Sequence, residues 1–411
     1  PMETEFQVPG ATTPAAVRGF GVVFVDVDRA GSTTLEFFGP TGRLGRFEAP
    51  VQSAGSPFSF LGVVFQDTVV TRVRIVSGNA VLAAGWPDTV PATTIDRQCG
   101  SSQQAYTFAA QGVMAGAYDV VVAAGVEEMS LVPMGASVSK GVGFPFTEGM
   151  NERYAEQGGL VPQGISAEMI ADQWGLSRED LDAFGARSQQ FAERARDEGR
   201  FDNEIIPVQG RRRDKETGDV AIEDAPVTAD EGIRPGTTAE GLAKLKPAFK
   251  PDGKVTAANS SQITDGASAA LIMSEEKAAE LGLTPRARFH AFSLAGVDPV
   301  TMLTGPIPST RKVLERANMS IDDIDLFEVN EAFASVVLAW KAEMGLDDET
   351  FDAKVNVNGG AIALGHPLGA SGTKLLATLV NELERTGGRY GLQTMCEGGG
   401  LANAAIIERL G

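Results

Sequence analysis

The chain has 411 residues, enough for about two to four domains of ordinary size. Its 54 acidic and 35 basic residues give a formal net charge of −19, which disfavours binding to nucleic acid and to anionic membrane surfaces. Hydrophobic residues make up 43% and charged residues 22% of the chain, so the disordered and collagen-like classes are excluded.

Two cysteines are too few for a disulfide framework, and such a low cysteine content suits a reducing compartment. The sequence contains no run of about 18 apolar residues and no signal-peptide pattern. It opens on Pro1 ahead of Met2, which leaves room for residues upstream. We expect a cytoplasmic protein with no membrane span and no nucleic-acid partner.

The first part of the chain is predicted to consist of short β-strands. Residues rich in Val, Phe and Thr occur between turns of Gly, Pro and Ser, and no helical period is visible. The predicted strands are 22–27, 33–38, 58–65 and 71–76. From residue 79 onward, Ala- and Gly-rich helices alternate with apolar strands. This change predicts an all-β segment over 1–78, followed by α/β layering with a parallel sheet.

The turn around Cys99 follows a predicted strand at 92–96 and precedes a helix whose apolar residues share one face. A strand at 119–124 comes next. Residues 127–254 are richer in charge and are predicted to form an inserted loop domain, with a helix that starts at the capping box Ser177-x-x-Asp180. The basic run at 210–215 is either a solvated turn or a phosphate-facing patch.

A similar order of elements recurs roughly 265 residues later. Residues 355–357 lead through a glycine-rich turn that contains His366 into a helix, and a strand at 390–394 runs towards Cys396. His366 then occupies the turn equivalent to that of Cys99, which predicts a duplicated α/β domain. The predicted halves are 79–126 with 255–280, and 281–411.

Three residues in these turns have the chemistry of a covalent catalyst. The positive end of a helix and nearby backbone N–H groups favour a thiolate, which predicts a lowered pKa for Cys99. Taken alone, a small buried hydrophobic residue is the more common interpretation of such a cysteine. His366 is surrounded by small residues that allow another backbone or a ligand to approach closely. Cys396 precedes the glycines at 398–400, whose N–H groups can form an oxyanion hole.

Four sequence blocks carry a family resemblance. They are Asp96-Arg97-Gln98-Cys99-Gly100-Ser101-Ser102, Asn330-Glu331-Ala332-Phe333-Ala334, Gly365-His366-Pro367 and Cys396-x-Gly398-Gly399-Gly400. Their identity and their order resemble the signature blocks of thiolases, over about residues 79–411. The resemblance implies the duplicated, five-layered α-β-α-β-α thiolase core with an inserted loop domain. It also implies an acetyl-CoA C-acyltransferase or acetyl-CoA acetyltransferase activity.

The resemblance implies ping-pong acyl transfer, in which 3-ketoacyl-CoA and CoA give acyl-CoA and acetyl-CoA, or the reverse. Cys99 would be the nucleophile, His366 its base and an oxyanion donor, and Cys396 the acid/base at the α-carbon. Asn330 would hold a water in the first oxyanion hole, and the N–H groups of Cys99 and Gly398 would form the second. The family implies coenzyme A as a substrate, no cofactor, no metal, and a homodimer or homotetramer.

Five further positions match the coenzyme A-binding residues of the family. They are Arg234, Phe249, Ala257, Ser261 and Phe333. Arg234 offers a planar cation to the nucleotide, and Ser261 offers a hydrogen bond to the pantetheine amide. A surface ion pair for Arg234 and a turn hydroxyl for Ser261 are the alternatives. His290, in a strand-like segment, is predicted to be structural.

Residues 19–78 depart from the family. Thiolases normally have a strand, a helix and a strand ahead of the region of Asn79, whereas this segment resembles a small all-β domain of bacterial secreted proteins. Missing central strands would leave backbone groups unpaired, so one alternative is a catalytically impaired protein whose β segment acts as a binding or structural module. The other is a ketoacyl synthase-like condensing enzyme, which needs a second histidine, here His290.

Overall fold

The computed structural model describes residues 90–130, 132–135, 147–213, 217 and 220–411, together with the course of six strands in the preceding part of the chain. The chain divides into two units. The first comprises Pro1–Thr94 and Val132–Pro145, and the second comprises Ile95–Leu131 and Phe146–Gly411.

The strands of the first unit pair antiparallel in two sheets, with the orders β1-β6-β3-β4 and β2-β5. They are β1 (Met2–Glu5), β2 (Gly19–Val25), β3 (Thr34–Gly39), β4 (Gly42–Glu48), β5 (Phe58–Val64) and β6 (Arg72–Val76). β2, β3, β5 and β6 correspond to the four predicted strands, whereas β4 was not predicted. The ends of the predicted strands beyond these bounds, and the predicted boundary near residue 78, lie outside the described residues.

Helices and strands alternate along the second unit. The helices are α1 (Ser101–Met114), α2 (Glu148–Arg153), α3 (Gln163–Gln173), α4 (Arg178–Asp197), α5 (Ala239–Leu242), α6 (Glu275–Glu280), α7 (Pro306–Ala317), α8 (Ala334–Met344), α9 (Asp348–Lys354), α10 (Ala361–Leu364) and α11 (Ser371–Thr386). The strands are β7 (Val120–Glu128), β8 (Val208–Arg213), β9 (Val220–Val227), β10 (Asp265–Met273), β11 (Ala287–Gly296), β12 (Leu326–Val329), β13 (Tyr390–Glu397) and β14 (Leu401–Arg409).

Three predicted helices are confirmed as α1, α4 and α11. The capping box at the start of α4 is present, because the N–H of Asp180 donates to Ser177 Oγ (3.1 Å) and the Asp180 carboxylate accepts from the Ser177 N–H (2.8 Å). The predicted strand at 92–96 is wrong, since this segment has no strand. A strand needs a neighbour to satisfy its backbone groups, and no described residue pairs with this segment.

Two sheets organise the second unit. One has the order β11-β14-β13-β12, in which β12 and β13 run parallel and the other pairs antiparallel. In the other sheet, β7 and β10 pair antiparallel. The prediction of a parallel sheet is therefore correct only for β12 and β13. A tight turn joins β13 directly to β14, and such a turn can connect only antiparallel neighbours.

Successive residues of β14 face two separate cores, as the alternation of side chains along a strand requires. Ala405 and Ile407 pack with Tyr106 of α1 and with leucines of α11. Ala404 and Ile406 pack with residues of α7 and α8. α1 and α11 also pack against β7 and β10. The described residues thus supply four successive layers of the predicted core, in the order helix, sheet, helix and sheet.

Candidate active site

Cys99 is the middle residue of a single 3-10 turn that leads into α1. The preceding Gln98 has φ 52°, in the left-handed region that residues other than glycine rarely adopt. Ser101 Oγ donates to the carbonyl of Gln98 (2.6 Å) and accepts from the N–H of Arg97 (2.9 Å). Asp96 Oδ1 accepts from the N–H of Gln98 (3.0 Å). The polar residues of this block therefore hold a strained turn around the cysteine.

The Cys99 side chain is only 4% exposed and packs with Leu375 of α11. Burial, reinforced by the nearby carboxyl of Glu397, raises the pKa of the thiol to about 12. Hydrogen bonds from the N–H of Gly398 and the side chain of Gln163 favour the thiolate but are outweighed. The predicted lowering of this pKa is therefore wrong for the free protein, and the thiol needs a base to remove its proton.

Cys396 provides a second buried thiol in β13, opposite Ala402 of β14. Burial raises its pKa well above the usual range, and the next cause is the charge of Cys99. The two sulfur atoms therefore lie within electrostatic reach of each other. The turn after β13 contains Gly399 and Gly400 with φ values of 83° and 81°, which favour glycine. The N–H of Gly398, at the start of this turn, also favours the thiolate of Cys99.

Glu397 is a buried carboxyl between the two thiol-bearing segments. Its Oε2 lies 2.7 Å from Arg97 Nε, and a Cβ atom on Gly100 would lie 2.0 Å from its Oε1. Burial outweighs the ion pair and raises the pKa of Glu397 to about 8. Because its charge also raises the pKa of Cys99 and of Cys396, the protonation of Glu397 is coupled to both thiols.

His366 is a buried and neutral imidazole. Burial lowers its pKa to about 3. Ser371 Oγ donates to the carbonyl of Pro367 (2.9 Å), so it accepts from His366 Nδ1, which lies 2.5 Å away. Nε2 then carries no proton and accepts from Asn330 Nδ2 at 3.4 Å. His366 is therefore in the form that can take a proton from a thiol.

The block that begins at Asn330 is anchored by Glu331. The buried Glu331 carboxylate accepts hydrogen bonds from Ser188 Oγ (2.6 Å), Asn356 Nδ2 (3.0 Å) and the N–H of Ile362 (3.1 Å). These donors belong to α4, to the segment before the glycine-rich turn, and to α10. A single side chain thus fixes the positions of Asn330 and of the turn that carries His366.

Four of the predicted coenzyme A-binding residues lie near this block. The rings of Phe249 and Phe333 meet edge to face, with centroids 5.9 Å apart. The N–H of Ser261 donates to the carbonyl of Ala332 (3.0 Å), directly before Phe333. Ala257 is exposed on the same loop as Ser261. Phe249 is partly exposed, so this cluster presents an aromatic surface to solvent.

Arg234 is exposed and lies on a loop joined to the His366 turn. Its N–H donates to Gln189 Oε1 (2.7 Å), and Gln189 Nε2 donates to the carbonyl of Ile362 (3.2 Å), four residues before His366. Its guanidinium Nη1 donates to the carbonyl of Glu231 (2.6 Å). The Arg234 guanidinium therefore contacts a backbone carbonyl and not the acidic side chain expected for a surface ion pair.

Two other sequence features lie apart from these residues. His290 is exposed at an irregularity of β11, where its ring meets that of Tyr390 edge to face at 5.5 Å. The basic run at 210–215 falls partly on β8, which pairs with β9. Residues 214 and 215 lie outside the described residues.

Three further residues of this site were not predicted from the sequence. Gln163 begins α3 and comes from a distant part of the chain, so no local signal marks it. Ser371 lies within the glycine-rich block, and its spacing of five residues from His366 was the available signal. Glu397 directly follows Cys396.

Among the described residues, no helix has the length and apolar character to span a membrane. Within the same part of the chain, no group of three or more His, Cys, Asp or Glu side chains is arranged to hold a metal ion. Two coupled buried thiols and a neutral histidine on the glycine-rich turn are groups suited to covalent acyl transfer.

Comparisons with known proteins agree with this chemistry. The family model of the thiolase N-terminal domain matches residues 60–276, and that of the thiolase C-terminal domain matches residues 283–409. The first match begins ahead of residue 79, where the resemblance was predicted to start. The chain belongs to the thiolase family, so the family prediction from the four blocks is confirmed.

Individual relatives are similar over most of the chain. The steroid 3-ketoacyl-CoA thiolase FadA6 of Mycobacterium tuberculosis is 50% identical over 335 residues, which cover 80% of this chain and 77% of the relative. The 3-ketoacyl-CoA thiolase of Aliivibrio fischeri is 48% identical, with 81% and 82% covered. These relatives make the chain an acyltransferase of the thiolase type.

Two solved structures share the fold. The acetyl-CoA acetyltransferase of Bacillus anthracis superposes with a TM-score of 0.68 at 41% identity, covering 80% of this chain and 82% of that one. Human mitochondrial 3-ketoacyl-CoA thiolase gives a TM-score of 0.69 at 37% identity, with the same coverage. The predicted thiolase-like α/β fold is therefore confirmed.

Proposed function

We propose that this protein is an acyl-CoA thiolase that converts 3-ketoacyl-CoA and CoA to acyl-CoA and acetyl-CoA, or catalyses the reverse condensation, through a thioester on Cys99. One observation carries the proposal. Two buried thiols lie within electrostatic reach of each other, and the backbone N–H of Gly398 favours the thiolate of the first. Thiolysis needs both thiols, because one remains acylated while the other moves a proton.

In the first half-reaction, His366 Nε2 accepts the proton of Cys99 as the sulfur attacks the 3-keto carbon. The neutral state of both groups suits this transfer, since proton removal is coupled to bond formation. The tetrahedral intermediate then collapses, the bond between the α- and β-carbons breaks, and the acyl group stays on Cys99. Cys396 donates its proton to the α-carbon and releases acetyl-CoA.

In the second half-reaction, the thiol of CoA gives its proton to the Cys396 thiolate and attacks the thioester. The bond between Cys99 and the acyl group breaks, and Cys99 takes back the proton held by His366. Negative charge develops on an oxygen in each half-reaction, so each needs hydrogen-bond donors. We assign one donor set to His366 with a water held by Asn330, and the other to the N–H groups of Cys99 and Gly398. The bond from the Gly398 N–H to the Cys99 sulfur supports the second assignment.

Coenzyme A binding is assigned to the predicted residues. The ring pair of Phe249 and Phe333 offers an apolar surface for pantetheine, and Ser261 lies beside it to hydrogen-bond an amide. Ala257 allows close approach on the same loop. Arg234 offers a guanidinium to the nucleotide part.

The two alternatives, a condensing enzyme and a binding module, have less support. A condensing enzyme with paired histidines would need His290 near the nucleophile, but this residue is exposed and contacts Tyr390. The second group at the nucleophile is Cys396. A binding module with an inert thiolase part would not require two adjacent buried thiols. The description of residues 19–78 as an unrelated all-β domain has no support from the comparisons and stays a proposal.

We further propose a cytoplasmic homodimer or homotetramer, divided into the halves and the loop domain predicted from the sequence. The low cysteine content supports the location. Val126 and Leu271, on the paired strands β7 and β10, are 72% and 57% exposed. Exposed apolar side chains of this kind are typical of a surface that another subunit covers, which supports an oligomer.

The test is thiolysis of acetoacetyl-CoA by CoA, with the acyl-enzyme trapped and located by peptide mass spectrometry. We expect turnover and an acetyl group on the peptide that contains Cys99. 3-Hydroxybutyryl-CoA is the matched control, because it lacks the ketone and should neither turn over nor modify the protein. Acylation of another residue, or turnover without a trapped thioester, would contradict the proposal.

A further inference from the structure

A small cavity is lined by Gly365, Ser371 and Asn330, the neighbours of His366 in sequence and in hydrogen bonding. Its volume is about 10 Å³, roughly the space that one water molecule requires. Three surfaces meet there. They are the end of β12 with the residue after it, the glycine-rich segment 359–365, and the first two turns of α11. The polar residues that line it are Glu328, Asn330, Ser371, Lys374 and Thr378.

The sequence brings these side chains together through two periodicities. Glu328 and Asn330 are two residues apart along an extended segment, so they face the same side. Ser371, Lys374 and Thr378 are spaced by three and four residues along α11, so they share one face of the helix. Where the strand packs against the helix, the two polar rows enclose the cavity.

Glu328 is the unexplained member of this set. Its side chain is 3% exposed, and within the part of the chain that the structure describes its carboxyl forms no hydrogen bond and no ion pair. Burial, with the nearby charges of Glu331, Glu204 and Glu382, raises its pKa well above the ordinary range, against the opposing charge of Lys374. Glu328 is therefore a neutral acid, able to donate one hydrogen bond and to accept others.

The other charged groups around the cavity have partners. Lys374 Nζ donates to the carbonyl of Leu364 (3.0 Å) and lies 3.9 Å from Asp230. Glu204 accepts from Thr378 and Asn381 (3.0 and 2.9 Å).

Two further carboxylates near Glu328 are also satisfied. Glu382 accepts from Arg385 and Asn358, and Glu331 accepts from the three donors described above. Among these four neighbouring carboxyls in the described part of the chain, Glu328 alone has no hydrogen-bond partner.

Asn330 provides the connection to His366. Its Oδ1 is buried without a hydrogen-bond partner among the described residues, while its Nδ2 lies 3.4 Å from His366 Nε2. If the side-chain amide of Asn330 flipped, its Oδ1 would face His366 Nε2 and favour a proton on that nitrogen. His366 could then no longer act as a base. A donor at Oδ1 prevents this rotation. Together with Ser371, which accepts from Nδ1, it therefore stabilises the tautomer in which Nε2 is unprotonated.

We propose that Glu328 is a positioning residue that acts through one cavity water on Asn330 Oδ1 and so keeps His366 in its Nδ1–H tautomer. Glu328 donates to the water, and the water donates to Asn330. The inference rests on the proposed function, because it concerns the base assigned there. It adds an acid, Glu328, that does not contact the substrate. Glu328 determines which ring nitrogen of His366 carries the proton.

The test reads the tautomer directly by NMR of protein labelled with ¹⁵N-histidine, without substrate. The chain has only two histidines, so His290 serves as an internal reference. In the wild type and in Glu328→Gln, which keeps a donor, we expect one His366 tautomer with Nδ1 protonated. In Glu328→Ala we expect a mixture of the two tautomers and unchanged His290 signals. Glu204→Gln is the matched control on a neighbouring carboxyl and should resemble the wild type.

Single-turnover cleavage of acetoacetyl-CoA gives the functional reading. Glu328→Ala should lower the acylation rate by roughly tenfold or more, as does loss of groups that orient a histidine, with KM within about twofold. Glu328→Gln should stay within about threefold of the wild type. A single Nδ1–H tautomer in Glu328→Ala would overturn the proposal, as would equal damage in Gln and Ala variants. If Glu328→Ala does not fold, Glu328→Leu gives the same readings. The NMR result stands independently of whether the protein cleaves acetoacetyl-CoA.

Discussion

Cys99 and Cys396 are both buried thiols, yet the backbone around them differs. Cys99 lies in a 3-10 turn, where the N–H of Gly398 and the side chain of Gln163 favour its thiolate. Cys396 lies in a regular strand, whose backbone groups pair with β14. Burial raises the pKa of each thiol, but only Cys99 has side-chain and neighbouring backbone donors that favour its thiolate.

The difference separates two tasks. A nucleophile must carry negative charge briefly, so donors near its sulfur lower the barrier to attack. A proton carrier must hold its proton until a carbanion forms, and an apolar strand suits that role. The two thiols should therefore respond differently to substitution.

Cys99→Ala should abolish formation of the acyl-enzyme, because the remaining thiol, Cys396, lies in a regular strand without neighbouring donors that favour its thiolate. The change removes one buried sulfur atom and should lower the free energy of unfolding by about 1 kcal/mol. Radiolabelled acetyl-CoA and a melting curve measure the two effects. Cys396→Ala, the same change at the other thiol, is the control and should still become acylated. Wild-type labelling of the Cys99 variant would refute the assignment.

Cys396→Ser should slow cleavage of acetoacetyl-CoA by about a hundredfold or more, the usual contribution of a positioned acid/base. Acetyl exchange between acetyl-CoA and free CoA moves no proton on carbon. It should therefore fall by less than about tenfold. Steady-state cleavage and isotope exchange are measured on the same preparation. An equal loss in both reactions would remove the distinction between the two thiols.

Glu397→Gln should change the pH dependence of acylation. The pKa of Glu397 is about 8, so in the wild type a negative charge forms beside both thiols as the pH rises through that value. The charge disfavours a thiolate, and acylation should decline by a few-fold on the alkaline side. The Gln variant should lack this decline. Glu384→Gln, at an exposed carboxyl, is the control, and a decline that persists in Glu397→Gln would exclude Glu397 as its cause.

The same carboxyl should affect stability. The pKa of Glu397 is about 8 in the folded protein and 4.5 as its reference value, so between these pH values the folded protein keeps a proton that the unfolded chain has lost. The free energy of unfolding should fall as the pH rises through this window, by on the order of 1 kcal/mol from this group. Urea titrations at pH 5 and 8 should show a smaller fall in Glu397→Gln. An identical fall in both proteins would contradict the expectation.

Much of the site was predictable from the sequence. The small-residue blocks around Cys99, His366 and Cys396 identified the family, and the helix after Cys99 was visible from its spacing. The pKa of Cys99 was not predictable, because a helix start favours the thiolate while burial by residues such as Leu375 has the opposite and larger effect. Burial depends on packing between segments far apart in the chain.

Strand prediction was limited in the same way, because strand pairing also depends on segments far apart in the chain. The strand at 92–96 was expected from its local pattern, but a strand forms only beside a partner. β7 and β10 are each apolar and are far apart in the chain. The local sequence of either strand therefore does not specify their antiparallel pairing. The orientation of Asn330 and the contact of Gln163 likewise depend on neighbours that no local pattern specifies.

Glu331 has a consequence for how the protein opens. Its carboxylate accepts from Ser188 of α4 and from the N–H of Ile362, which precedes His366. If α4 separates, the carboxylate loses a donor, and the turn that carries the histidine loses support. Amide hydrogen exchange in α4 and in Ala361–Leu364 should therefore share one opening free energy, so the two segments unfold as a cooperative unit. A fluctuation in a helix with no assigned catalytic group would then interrupt catalysis.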